Sequence, residues 1–165
     1  MASIDQFKAQ LVGGGPRANR FRIFIPRSGD KIEFLAKGGQ IPAATVGTVE
    51  VPFRGHVLKL AGDRTFENWS VTIINDVEFS ARNAIELWQQ DIQAFDSGEG
   101  LTTTDYLLSR AFVEQLNKDD SVLARYEFFN MFPVNIGAID LNYETVDALE
   151  EFEVEFAYSH WERVI

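Results

Sequence analysis

Residues 151–158 read Glu-Phe-Glu-Val-Glu-Phe-Ala-Tyr. Alternation of acidic and apolar positions at this period fits an extended strand with one face on a core and the other on water. Phe152, Val154, Phe156 and Tyr158 then share the buried face, and Glu151, Glu153 and Glu155 share the open one. The strand is expected to run on to Trp161. A chain carrying such a segment is committed to a sheet with one hydrophobic side, and the remaining segments must supply its partners.

Several do. Phe21, Ile23 and Ile25 alternate with Arg22 and Phe24 as a first strand, and Pro26 to Asp30 reads as the turn into a second, Lys31 to Lys37. Trp69, Val71 and Ile73 share one face of another, entered through a turn at Gly62-Asp63-Arg64. Leu107 to Leu116, the turn Asn117 to Asp120, and Ser121 to Phe132 make a strand-turn-strand unit. Pro133 to Gly137 reads as a loop before a further alternating stretch at Ile139, Leu141 and Tyr143. Between these the period changes: Ala81, Ala84, Ile85, Trp88, Ile92 and Phe95 recur at helical spacing, with Asn75 or Asp76 as cap and Gly98 as stop. Ser3 to Leu11 reads as a short helical or flexible arm, ended by Gly13, Gly14, Gly15 and Pro16. About eight strands and one long helix are expected in a single domain over residues 1–165: an antiparallel sandwich or barrel-like fold with a flanking helix.

The segment from Gly38 to Ala61 is different. Val46 to Val51 and His56 to Leu60 flank a Pro52-Phe53-Arg54-Gly55 tip, an extended hairpin whose apolar content is thin for its length. It reads as an arm packing against neighbouring subunits.

Chemistry is hard to find. His56 and His160 lie far apart and in no metal-ligand spacing, His56 reading as exposed on the hairpin and His160 as ending a strand. The triple glycine lacks the preceding strand and following Lys-Ser/Thr of a phosphate loop. There is no Gly-x-Ser-x-Gly elbow and no cysteine, hence no thiolate site and no disulfide. Three Glu on one strand face read as a solvated surface rather than a glycosidase pair, which needs two carboxyls in different environments. The balance of 25 acidic against 15 basic residues, −10 net, opposes tight nucleic-acid binding. No apolar run approaches membrane-spanning length and no secretory pattern opens the sequence, so no membrane anchor is expected. With 14 Phe, 3 Trp and 4 Tyr the chain is equipped for sheets and large interfaces.

Ala61-Gly62-Asp63-Arg64-Thr65-Phe66-Glu67-Asn68-Trp69-Ser70-Val71-Thr72, with Asn75-Asp76 following, resembles the tail tube proteins of contractile-tailed bacteriophages. The Ala81-Arg82 and Trp88-Gln89 helix, Phe132-Pro133-x-Asn135-x-Gly137, and Phe152-Glu153-Val154 through Trp161 are similar to the same family in the same order, over roughly residues 18–165. The N-terminal arm and the acidic loop from Asp96 to Asp105 depart from it.

The resemblance implies a structural subunit without catalysis or cofactor. Six copies form a ring, rings stack into a tube inside a contractile sheath, and the tube conducts DNA into the host. Its implied partners are other copies of itself, the sheath, baseplate or tube initiator, tape measure and tail terminator proteins, with DNA only in passage. The location implied is the virion tail, assembled in the host cytoplasm. Val46, Val49, Val51, Phe53, Arg54, Val57, Leu60, Asp63 and Arg64 are the inter-subunit candidates, and Glu50, Glu151, Glu153 and Glu155 the acidic lumen candidates. An acidic wall would repel a polyanion and let it slide. The alternatives are a tube of a phage-like bacteriocin or type VI-like injection machine, and a small β-barrel carrier or enzyme with acidic residues in its cavity.

Overall fold

The computed structural model describes residues 3–28 and 31–165. Its elements are α1 (Ile4–Gln10), β1 (Phe21–Phe24), α2 (Ile32–Leu35), β2 (Ala36–Gly38), β3 (Thr45–Phe53), β4 (His56–Thr65), β5 (Trp69–Ile74), α3 (Ser80–Ile92), β6 (Ala111–Leu116), β7 (Val122–Phe129), β8 (Phe132–Ile136), β9 (Glu151–Ala157) and β10 (His160–Arg163). Two four-stranded antiparallel sheets, ordered β1-β6-β7-β10 and β2-β5-β9-β8, face one another, and β3-β4 form a separate two-stranded sheet. The sheets do not join into a closed barrel, so each ends on strands with unpaired edges.

Period-two patterning sets the core. Trp69, Val71 and Ile73 of β5 stand opposite Phe156, Val154 and Phe152 of β9, all on the inner face and all buried. From the other sheet come Ile23, Val113, Ala111 and Phe128. Trp69 and Phe128 meet across the gap with ring centroids 4.4 Å apart. The α3 helix covers the side of the sandwich near β8, burying Ala81, Ile85 and Trp88, with the Trp88 ring 6.0 Å from Phe156 and its indole donating to the Tyr106 carbonyl at 2.8 Å.

Neither proposed residue is the N-cap, which is Phe79 at φ 54°, but Asp76 three residues earlier serves the first turn: its carboxylate accepts from the Ser80 amide at 2.9 Å and the Ser80 hydroxyl at 2.7 Å. Asn75 instead donates to Glu150. The helix stops at Ile92, with Gln93 already extended, and does not reach Phe95 or Gly98. Phe95 is 67% exposed, so the apolar spacing overran the helix by a turn.

Five further expectations are corrected. Lys31 to Lys37 is not one strand: α2 occupies Ile32–Leu35 and only Ala36–Gly38 pairs, with β5. Gly29 and Asp30 of the expected turn lie outside the described residues. Gly62-Asp63-Arg64 is not a turn but part of β4, where two residues, Gly62 and Asp63, oppose the single Gly47 between the pairs Val46–Arg64 and Thr48–Ala61. This is a β-bulge. A Cβ on Gly62 would sit 3.1 Å from the Gly47 carbonyl, so the close approach calls for glycine. The strands at Leu107 and at Phe132 are shorter than expected, beginning at Ala111 and ending at Phe129. Phe132–Ile136, read as a loop because of Pro133, is β8, an edge strand on which a missing amide is tolerated. Ile139 to Tyr143 forms no strand, and Leu141 and Tyr143 are exposed.

The segment from Glu151 to Trp161 is two strands in different sheets. Its chain leaves β9 at Ala157, crosses at Tyr158-Ser159 and pairs with β7 as β10, starting at His160. The described residues thus hold ten strands where about eight were expected, and α2 besides the long helix and the short N-terminal one.

Candidate assembly surfaces

The β3-β4 hairpin turns through Arg54 and Gly55, both at positive φ (46° and 81°), the two-residue geometry whose twist matches antiparallel strands. Directly opposed residues share a face, so Val49 with Leu60, Val51 with Leu58 and Phe53 with His56 make one side, largely apolar. Thr48 with Ala61, Glu50 with Lys59 and Pro52 with Val57 make the other. Every residue of β3 is exposed, as is all of β4 but Gly62, and Phe53 and Leu58 show 66% and 58% of their surface. Leu58 completes the apolar face and was missed by the sequence reading. Strict alternation against Val51 could have found it. Val57 points to the opposite side from Val49, Val51, Phe53 and Leu60, and Asp63 and Arg64 lie at the bulge.

What holds the hairpin is a cluster of aromatics at its base. On the entry strand the Ala43 carbonyl accepts from the Trp161 indole at 3.1 Å. On the exit strand Phe66 packs 5.9 Å from Tyr158 and 6.5 Å from Trp161. Burial, reinforced by Glu67, pushes the Tyr158 phenol up. Both legs are therefore fastened to the link between β9 and β10, while the strands between stand free.

Glu151, Glu153 and Glu155 face outward from the second sheet, opposite Ile74, Thr72 and Ser70 of β5. Lys37 of β2 donates to Glu151 at 2.8 Å, and Glu155 is half-buried, so Glu153 is the most open of the three. Glu50 is not among them: it sits on the hairpin opposite Lys59.

On the outward side of the other sheet lies a group that the sequence reading did not single out. Glu114 is completely buried although it faces away from the core, because Arg22 and Arg125 clamp one carboxylate oxygen each, at 2.7 Å and 2.6 Å. The Arg125 guanidinium also lies 4.5 Å over the Phe112 ring, which stacks on Phe24. Charge-assisted bonds to both oxygens stitch β1, β6 and β7 together. Only the cross-strand register Arg22–Glu114–Arg125 reveals it.

Among the described residues no group of three or more His, Asp or Glu side chains is placed to hold a metal ion. A cleft of about 760 Å³ lies open between the end of α3 and β8, lined by Ile92, Phe95, Asp96, Phe132 and Val134 among others. It is open to solvent, and Gln89, Gln93, Asp96 and Ser97 line it beside the apolar side chains.

A family model described as phage tail tube protein matches residues 16–164. The chain belongs to that family. Tail tube protein gp19 of Enterobacteria phage T4 is 33% identical over 161 residues, covering 96% of this chain and 98% of that one. The tail tube protein of Serratia phage KSP90 is 28% identical, covering 96% and 95%. Among solved structures, the sheath/tube terminator of an extracellular contractile injection system, PVC, matches with a TM-score of 0.71 over 92% of this chain and 97% of that chain, at 13% identity. The sheath-tube complex of that system gives 0.63 over 99% and 98%, at 16% identity. A tail tube protein is a structural subunit and not an enzyme, and the fold is shared with the tubes of contractile injection systems. The tail tube family match begins after α1, at residue 16.

Proposed function

We propose that this chain builds the inner tube of a contractile phage tail, with six copies closing each ring and rings stacking into a hollow tube through which DNA passes. The observation that carries the reading is the hairpin. A two-stranded ribbon is marginal in water by itself, yet this one extends from the body with Val49, Val51, Phe53, Leu58 and Leu60 on one exposed face. Such a face is stable when a neighbouring copy covers it. Val46, Arg54, Val57, Asp63 and Arg64 flank that contact. The unpaired edges of β1, β10, β2 and β8, liabilities in a monomer, supply further joints.

The channel wall is the second part of the proposal. Six copies at −10 bring about −60 to each ring, and Glu153, with Glu151, Glu155 and Glu50, is assigned to the surface that DNA passes. Like charge keeps the polymer from adhering. Sheath, terminator cap and baseplate are the expected partners, since the structural neighbours include tubes in complex with a sheath, a cap and a baseplate. That the relatives spanning nearly the whole chain are phage tail proteins favours a phage tail over a bacteriocin or secretion tube.

Negative-stain microscopy of the purified chain tests this. Rings or hollow tubes are expected, and a monomer that never assembles, even with baseplate components present, overturns it.

A further inference from the structure

Among the described residues, α1 buries no side chain against the rest of its own chain. Ser3 and Gln6 close a reciprocal capping box at its start, so the seven-residue helix is locally specified. Yet it buries nothing: Ile4, Phe7 and Leu11, one helical face, are 81%, 66% and 45% exposed. Three successive glycines, all at positive φ, separate it from the body. A short helix of this length is marginal unless its apolar face is covered.

The body carries a cleft of the opposite character. Its floor is Ile92, Phe95, Phe132 and Val134, with Phe95 and Val134 67% and 47% exposed. Its wall is a compact loop folded onto the end of α3, with the Ala94 amide donating to the Glu99 carbonyl at 2.6 Å and the Leu101 amide to the Asp91 carbonyl at 3.0 Å. Residues 91–105 carry Asp91, Asp96, Glu99 and Asp105 and no Lys or Arg, whereas residues 3–20 carry Lys8, Arg17 and Arg20 against Asp5, a basic segment in an acidic chain. Apolar face meets apolar floor, and basic arm meets acidic rim.

Their placement selects the partner. The arm joins the body at Phe21, the start of β1, whereas the far end of β1 leads to Arg27, which pairs with Asp91 and lies 5.7 Å over Trp88 of α3. Arm and cleft therefore sit toward opposite ends of β1, whose four residues span about 13 Å at roughly 3.3 Å per strand residue. A knob at one end and a socket at the other is the arrangement of a heterologous, head-to-tail contact that propagates along a stack.

We propose that α1 of one copy docks in the α3–β8 cleft of a second copy stacked on it, fastening successive rings. The proposal rests on the tube reading, which supplies the stacked copy. Ile4, Phe7 and Leu11 enter the cleft over Phe95 and Val134, and Lys8 faces Asp96 and Glu99.

The absence of cysteine makes the contact directly testable. Phe7→Cys and Phe95→Cys chains are purified separately, mixed, assembled, checked for tubes by microscopy and oxidised. The expected product is a dimer joining one F7C chain to one F95C chain, absent when either is assembled alone. Tubes that form without that link overturn the docking while leaving the tube reading intact. A link formed inside single chains of the F7C/F95C double variant, at dilutions where no assembly occurs, overturns it in favour of self-docking. As a second measurement, Phe7→Glu should raise the concentration needed for tube formation at least tenfold with an unchanged circular dichroism melt, and an unchanged threshold overturns the proposal. Failure of the unmodified chain to assemble under any condition counts instead against the tube reading and removes the docking with it.

Discussion

The Trp161 indole donates to the Ala43 carbonyl at 3.1 Å, tying the last strand of one sheet to the root of an arm that begins 118 positions earlier. The same ring packs 5.3 Å from Tyr126 and 6.5 Å from Phe66, so one side chain joins the sandwich to both legs of the hairpin. The arm is thus aimed by the body even though its strands pair with neither of the main sheets.

Trp161→Phe removes the donor and keeps most of the packing. A loss of about 1 kcal/mol is expected, the usual worth of one hydrogen bond, read by thermal unfolding. Limited proteolysis of the unassembled chain should show faster cutting at the hairpin legs, near residues 43 and 66, than in the unmodified protein. Equal cutting rates would mean the legs are held by something else.

Glu114 sits between two arginines whose side chains are 38% and 30% exposed, so losing its charge leaves guanidiniums able to turn toward water. Glu114→Gln is expected to cost about 2 kcal/mol, within the range for breaking a buried polar contact and below that for a fully buried pair. Denaturant unfolding reads this as a lower midpoint at unchanged slope.

The Ser80 hydroxyl above all, with its amide and the Lys31 ammonium, holds the Asp76 carboxyl below the ordinary carboxylate range, outweighing desolvation, the next largest effect. A folded value below the unfolded one means that this contact's contribution is complete above about pH 4 and is lost as pH falls through the folded value. Asp76→Asn keeps an acceptor for the Ser80 amide but removes the charge. Its melting temperature, followed between pH 5 and 2, should fall less steeply than that of the unmodified chain. Parallel curves would contradict the assignment.

Glu153→Lys changes the most open carboxylate of the β9 face without touching the core, where its neighbours Phe152 and Val154 are buried. Tubes should form normally, and phage carrying the change should eject DNA poorly in an ejection assay, more so at low salt because screening weakens the attraction. Normal ejection would remove this face from the channel wall.

What the sequence disclosed, and what it did not, follows from how local each signal is. The β5 and β9 faces were legible because period-two alternation is complete over Trp69–Ile73 and Phe152–Phe156, and the hairpin because its tip glycine and flanking Val residues are contiguous. The crossing of β9 into β10 left no such trace: Tyr158 and Trp161 look like a continuation of the pattern, and the break depends on which sheet offers a free edge. Ile139 to Tyr143 alternates as well as a strand does, yet no neighbour is there to pair with it. The Glu114 clamp was hidden for a related reason, since its residues are brought together only by register between strands distant in sequence. Of the proposed surfaces, the apolar hairpin face was nearly readable, with Leu58 the one member left out although it stands opposite Val51.

The claim on which the rest depends is that the exposed hairpin face is an interface between copies of this chain. A cryo-electron microscopy reconstruction of particles assembled from the purified protein measures it most directly. Six-fold rings stacked around an open channel are expected, with Val49, Val51, Phe53, Leu58 and Leu60 packed against a neighbouring copy. Particles in which that face remains open to solvent, or a protein that stays monomeric at every concentration examined, would contradict it.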